Sequence, residues 1–371
     1  LWLSEKLNKA VLKLTNEDYN EYGMGNLIAE IGSAEHINLK VFNQLQATIT
    51  GWPGGKPNAD DSQRPERRAP YPKRSLIFSP HPDDDVISMG GMLGKLVSNG
   101  NDVTVAYMTN GSVAVFDQDV TRHLRFVEMT YSVLAGAQPA ESFVHRSDEI
   151  LEFLEDKAPG QVDSEAVQKI KAFIRYTEAL AAIEVMGLSE ENARFLDLPF
   201  YKTGRVKKDP IGPDDVAIIL ELFNELEPDE IFVAGDLSDP HGTHRMCYAA
   251  IDQALRKLDG QRQEWQKSGD GATGGLTGPR VWLYRGAWQE WEIDRADVFV
   301  PLTKAELDRK IEAIYKHESQ KDRALFPGAY DVREFWQRAR DRNVETAKRL
   351  DALGLPEFHA AEAYVTCYEM P

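Results

Sequence analysis

Residues 75–91 read SLIFSPHPDDDVISMGG. The apolar run Leu76-Ile77-Phe78 stops at Pro80, a His and three consecutive Asp follow, and the chain turns amphipathic again at Val86. A buried strand ending in a polar loop that opens a helix is the building unit of open α/β sheets, which hold ligands at the carboxyl ends of their strands. Within the loop, His81 and Asp84 are three apart with Asp83 between them. An imidazole and a carboxylate can then reach one divalent ion, while the adjacent carboxylate stays uncoordinated beside it and can take a proton. Three carboxylates in a row repel one another, and a cation relieves that repulsion. An Asp before an apolar-periodic run also caps a helix, but a cap needs one Asp rather than a His and three. Asp85, directly before Val86, is read as that cap.

The rest of the chain repeats the strand-then-helix alternation. Residues 86–97 are expected to be helical, ending at Asn99-Gly100, and 103–108 to form a second buried strand leading into Thr109-Asn110-Gly111-Ser112. Helices are expected at 122–134, 164–187 and 214–226, with a short strand at 194–198 and a nearly continuous apolar strand at Glu230–Ala234. Later strands are expected at 280–284 and 298–300, and a helix at 304–317 capped by Thr303. Residues 259–279, rich in Gly, Gln and Ser, read as a flexible surface excursion. This order predicts an α/β fold with a mainly parallel sheet and helices on both faces. Residues 1–50 carry helical patterns around 3–14 and 37–45, and 51–72 form a Pro-, Gly- and charge-rich linker. The expected division is therefore a helical N-terminal segment (1–50), a linker (51–72) and one α/β domain (73–371). About 50 residues bury too little surface for much independent stability, so the N-terminal segment is expected to pack on the main domain or on a missing partner.

The formal charge of −17 opposes non-specific nucleic-acid binding. No apolar run has transmembrane length, and no signal peptide is visible. The chain begins Leu-Trp-Leu without Met, which reads as a piece of a longer product. Its two cysteines, Cys247 and Cys367, are far apart among apolar residues and read as buried free thiols suited to a reducing cytoplasm. One compact basic cluster, Lys202, Arg205, Lys207 and Lys208, is either a solvated turn or an anion-binding flap over a substrate.

A second strand end completes the metal reading. After the strand at Glu230–Ala234 comes GDLSDPHGTHR, residues 235–245. Parallel strands of one sheet deliver their carboxyl-terminal loops to the same edge, so His244 can approach His81 and Asp84. Two His and one carboxylate with a position left for water is the arrangement of a hydrolytic zinc site. Either both His241 and His244 coordinate, or one coordinates while the other donates a proton or hydrogen bond beside the open position. Asp239 can orient His241 from behind. The plain alternative is that Asp239 caps a helix with both His on its surface.

HPDDD after an apolar strand resembles the HPDDE signature of the PIG-L/LmbE-like metal-dependent de-N-acetylases, and HGTH resembles their later HPDH element. Arg125-x-x-Glu128 and His317-Glu318-Ser319-Gln320 also resemble recurrent segments of that family, and the likeness covers roughly residues 73–330. The resemblance implies that His81, Asp84 and His244 ligate the metal, that Asp83 is the general base, and that His241 is a proton donor or oxyanion stabiliser. Asp85 stands where the family usually has Glu, and Thr243 where it usually has Asp, which removes a carboxylate beside the histidine. Residues 1–50 with the linker resemble the tail of bacterial chains in which a glucosamine-6-phosphate deaminase-like domain comes first, so an upstream fused domain is an expected partner.

The resulting expectation is a cytoplasmic zinc-dependent hydrolase that removes acetyl from a small-molecule N-acetylated amino sugar or its conjugate, without nucleic-acid or membrane partners. Iron, cobalt or manganese suit the same ligands. Asn110, Arg122 and Arg125 are candidate substrate-binding residues, and His317 and Gln320 either line the cleft or cap a helix. The alternative is a catalytically silent carbohydrate-binding or scaffold domain serving a fused deaminase-like domain.

Overall fold

The computed structural model describes residues 1–56, 71–202, 204–205, 207–237, 242–267, 278–286, 289–320 and 333–367, with only the backbone of 261–267. Four short helices come first: α1 (Trp2–Leu7), α2 (Asn16–Glu21), α3 (Gly25–Ile31) and α4 (Ala34–Ala47). There follow β1 (Arg74–Ser79), α5 (Asp84–Ser98), β2 (Asp102–Tyr107), α6 (Asp117–Ala135), α7 (Glu141–Glu155), α8 (Glu165–Val185), β3 (Ala193–Phe195) and α9 (Pro213–Leu226). The chain continues through β4 (Glu230–Ala234), α10 (Thr243–Lys267), β5 (Arg280–Tyr284), β6 (Val298–Leu302), α11 (Lys304–Tyr315), α12 (Phe335–Ala352) and β7 (Ala360–Cys367).

The strands form one sheet in the order β3-β2-β1-β4-β5-β7-β6. β3, β2, β1, β4 and β5 are mutually parallel, while β7 runs antiparallel to both β5 and β6. This is the expected α/β architecture. Strand residues alternate between two buried faces. Ile77, Phe232 and Ala234 pack with residues of α5, α8 and α11, whereas Leu76, Phe78, Ile231 and Val233 pack with residues of α9 and α10. Burial on both faces explains why these strands read as continuous apolar runs rather than alternating ones. Phe78 and Phe232 are fully enclosed, each contributing on the order of 1.5–3 kcal/mol of burial free energy.

From β1 the chain winds outward through β2 to β3, then returns to place β4 on the other side of β1. The loops leaving β1 and β4 therefore diverge at the point where the winding reverses, the position where such sheets open a crevice.

The N-terminal helices pack on the far end of the sheet. Val11 and Leu45 join Phe299, Leu350 and Ala361 in one apolar cluster. The backbone continues that contact, with Thr50 N donating to Phe299 O (2.9 Å) and Phe299 N to Thr48 O (2.8 Å).

Several expectations are corrected. The pattern at 3–14 is not one helix, because Asn8 adopts a left-handed conformation and ends α1. The excursion expected from residue 259 is helical through Lys267, because its Gln, Arg, Glu and Lys favour helix enough to carry Gly260; residues 268–277 lie outside the described residues. Cys367 is only partly buried, while Cys247 is buried.

Candidate metal centre

The β1 loop delivers its side chains as a tight turn. Asp83 N and Asp84 N both donate to His81 O, at 2.8 and 3.3 Å, and α5 begins at Asp84. Asp84 Oδ2 accepts from His81 N at 3.0 Å and lies 3.0 Å from His81 Nδ1. From the β4 side, the second residue of α10 places His244 Nε2 3.2 Å from the same Oδ2. One donor atom from each of His81, Asp84 and His244 falls within 4.8 Å of the others. Burial alone pushes the Asp84 carboxyl up, but His244 and His81 outweigh it and hold the carboxyl well below the usual carboxylate range. Gly286, after β5, closes behind His244: a Cβ there would come within 3.5 Å of His244 Cε1 and 3.3 Å of Asp236 Oδ2.

Asp83 does not join the three. Its Oδ2 pairs with Arg175 Nη2 at 3.1 Å, and both side chains are nearly inaccessible. Arg175 Nε and Nη1 have no hydrogen-bond partner among the described residues. Gly111 makes room for this arginine. At φ +64° it sits where a Cβ would meet Arg175 Nε at 3.0 Å and Pro82 Cδ at 3.1 Å.

Asp85 corrects its reading as a helix cap. It lies inside the first turn of α5, and its carboxylate accepts from Ser79 Oγ (3.1 Å) and Tyr107 Oη (3.2 Å). Burial pushes its pKa up to about 7, with Asp83 adding to the rise and the Ser79 and Tyr107 hydrogen bonds opposing it. The carboxylate thus ties the ends of β1 and β2 together beneath the loop.

The HESQ segment is clamped beside this group. Ser319 N and Oγ both donate to Glu178 at 2.7 Å, and Gln320 Nε2 donates to Ala114 O at 3.2 Å. His317 is 2% exposed, and neither ring nitrogen has a partner among the described residues. Burial lowers its pKa to about 3, with Asp83 and Asp84 opposing and Arg175 assisting, so the imidazole is neutral.

His241 and Asp239 lie outside the described residues. Thr243, at the first position of α10, is fully buried with its hydroxyl unpartnered among the described residues. Asn110 caps its own turn by accepting from Ser112 N at 3.0 Å. Arg122 is exposed on α6 and reaches Asp119 (3.6 Å) and Glu318 (4.0 Å) at the rim of the HESQ segment. Arg125 is exposed one turn further along α6.

Arg175 and Glu178 went unread in the sequence. The available signal was their position: the buried stripe of α8 runs Val167, Lys171, Ile174, Arg175, Glu178, Ala182, so charges interrupt an apolar helical face. Charges in such a stripe are expensive unless paired.

A family model described as PIG-L, GlcNAc-PI de-N-acetylase, matches residues 76–255. A Bacteroides thetaiotaomicron protein named putative glucosamine-6-phosphate deaminase-like protein is 48% identical over 369 residues, covering 98% of this chain and 53% of that protein. Diacetylchitobiose deacetylase of Thermococcus kodakarensis is 41% identical over 51 residues, covering 14% of this chain and 19% of that protein. The chain thus spans about half the length of the first relative and a fifth of the second. Among solved structures, N,N'-diacetylchitobiose deacetylase from Pyrococcus horikoshii is similar at 17% identity and a TM-score of 0.47, covering 79% of this chain and 83% of that one. Residues 76–255 of this chain form a domain of the PIG-L, GlcNAc-PI de-N-acetylase, family.

Proposed function

We propose that this chain is a metal-dependent hydrolase that removes the acetyl group from an N-acetylated amino sugar or its conjugate. The observation that carries the reading is the convergence of His81, Asp84 and His244 within 4.8 Å, with Asp83 set beside them on Arg175. The donor set fits a divalent ion. Two imidazoles aimed at one carboxylate oxygen leave three lone-pair donors facing a common point, and two His with one carboxylate is a hydrolytic ligand set that leaves a position open. Zinc is the ion proposed, since N and O donors in that number suit it. When bound, the ion supplies Lewis acidity to the amide carbonyl and to the attacking water.

The remaining work falls to side chains. Asp83, fixed by Arg175, takes the proton of the attacking water. Arg175 holds that carboxylate in place at 3.1 Å. His241 is assigned, from the family resemblance, to donate to the oxyanion and to the departing amine. The names of the two relatives, a glucosamine-6-phosphate deaminase-like protein and a diacetylchitobiose deacetylase, support an amino-sugar substrate.

Acetate release from N-acetylhexosamines and their phosphates tests this. Wild type is expected to liberate acetate, and Asp83→Asn to lose on the order of 10²–10⁴-fold in rate while retaining its metal. A silent binding domain would release none from any substrate, and an active Asp83→Asn would remove Asp83 from its role.

A further inference from the structure

We infer that the basic residues Lys202, Arg205, Lys207 and Lys208 recognise a phosphate monoester on the substrate, carried across one sugar ring from the acetamide. This rests on the proposed deacetylation. Residues 202–208 read KTGRVKK, four cations in seven residues with no acid, in a chain whose net charge is −17. Like charges crowded into one loop repel each other, and a strongly acidic protein repels an anionic substrate, so a local positive field is what such a substrate needs to enter.

The loop is built onto the site. It leaves the sheet edge after β3, at the turn Pro199–Tyr201, and returns where Asp209 N donates to Phe200 O at 3.1 Å. Its base is pinned by buried Asp215, which accepts from Phe200 N (3.0 Å) and Gly212 N (2.7 Å). On one side Tyr201, buried, sets its ring edge-on to the ring of His81, with centroids 6.3 Å apart. Lys208 Nζ then lies 5.3 Å over the Tyr201 ring. On the other side Gly204 rests against Gln168 of α8, the helix that carries Arg175. The chain of contacts His81, Tyr201, Lys208 places an ammonium one ring away from a metal-ligand candidate, with Lys202, Arg205 and Lys207 nearby in sequence.

Steps of 6.3 Å from the His81 ring to the Tyr201 ring and 5.3 Å on to the Lys208 ammonium bring that charge within reach of an anionic group on a sugar whose acetamide lies at the ligand set. A phosphate monoester, with about two negative charges and three acceptor oxygens, answers several cations better than a single carboxylate does. Four charges in one loop fall short of the extended basic face that a nucleic acid requires.

Calorimetric titration of the metal-loaded protein with glucosamine 6-phosphate, glucosamine and inorganic phosphate tests this independently of turnover. Glucosamine 6-phosphate is expected to bind at least about ten-fold more tightly than glucosamine, with the preference shrinking in 0.5 M salt, where exposed charges are screened to about 4 Å. A variant combining Lys202→Gln, Arg205→Gln, Lys207→Gln and Lys208→Gln should bring the two affinities together. Its melting temperature and metal content report folding, and the salt series on wild type stands if the variant does not fold. Equal affinities in wild type, or an unchanged preference in a folded variant, overturn the inference. A phosphate preference without acetate release from any sugar would keep this subsite and defeat the deacetylase reading instead.

Discussion

His317 shows what a single residue reveals about the site. A buried imidazole with two unpartnered nitrogens among the described residues costs free energy unless something outside the fold is meant to meet it. Its depressed pKa gives a signed prediction. Folded, the ring stays neutral down to about pH 3; unfolded, it takes a proton near 6.5. Between those values the unfolded chain binds more protons, so this group's contribution is complete above pH 6.5 and is lost as the pH falls toward 3. The urea midpoint of wild type minus that of His317→Gln should therefore fall as the pH is lowered from 7 to 5. A difference that does not change with pH would contradict a neutral, buried His317. The sequence offered His317 through the HESQ resemblance but could not decide between cleft and cap, because nothing local shows what α8 contributes. The ligand candidates were legible, since a His and three Asp at an apolar strand end exceed what any turn needs. Asp85 was misread because its partners, Ser79 and Tyr107, lie at the ends of two strands.

Among the elements, α5 carries the ligand loop, and it is not a continuous helix. Met89 leaves the helical region at φ −135°, ψ 24°, which strands the amides that follow. Glu362 of β7 takes them up, accepting from Gly91 N at 2.9 Å and Met92 N at 2.7 Å, like a cap inserted at mid-helix. Lys310 Nζ pairs with the same carboxylate at 2.5 Å and with Asn343 Oδ1 at 2.8 Å, and neither charged side chain is exposed. Arg342 meets Gly286 O (2.5 Å) and Ile87 O (3.0 Å), joining the loop behind His244 to the first half of α5. Breaking such a pair leaves a bare buried charge, so Glu362→Leu should cost about 3–5 kcal/mol in chemical denaturation. Glu362→Leu with Lys310→Met should cost less than the sum of the two single changes, and strict additivity would show that the two do not act as a pair. Sequence reading missed β7 and α12. AAEAYVTC mixes Ala and Glu, poor strand formers, into a strand whose glutamate faces inward to serve α5. In α12, FWQRARDRNVETAKRLDA, charges outnumber apolar residues and obscure the buried stripe of Ala339, Asn343, Ala347 and Leu350.

Across the whole molecule, the parallel half of the sheet was legible because double-sided burial writes itself as unbroken apolar runs, and the switch between β1 and β4 follows once those strands are neighbours. The antiparallel pair β6 and β7 was not, because it depends on long-range partners. Val11 and Leu45 of the N-terminal segment pack against Phe299 of β6 and Ala361 of β7. Among the described residues, no helix is long and apolar enough to cross a membrane. The proposed chemistry requires two loops, separated by some 160 residues of chain, to share one cation. The direct measurement is metal content per chain after purification without added ions and brief zinc loading, on wild type, His244→Ala, Asp84→Ala and Asp83→Asn. One ion per chain is expected in wild type and Asp83→Asn, and its loss in His244→Ala and Asp84→Ala. Wild type without an ion, or an ion held as firmly after His244→Ala, would contradict the account.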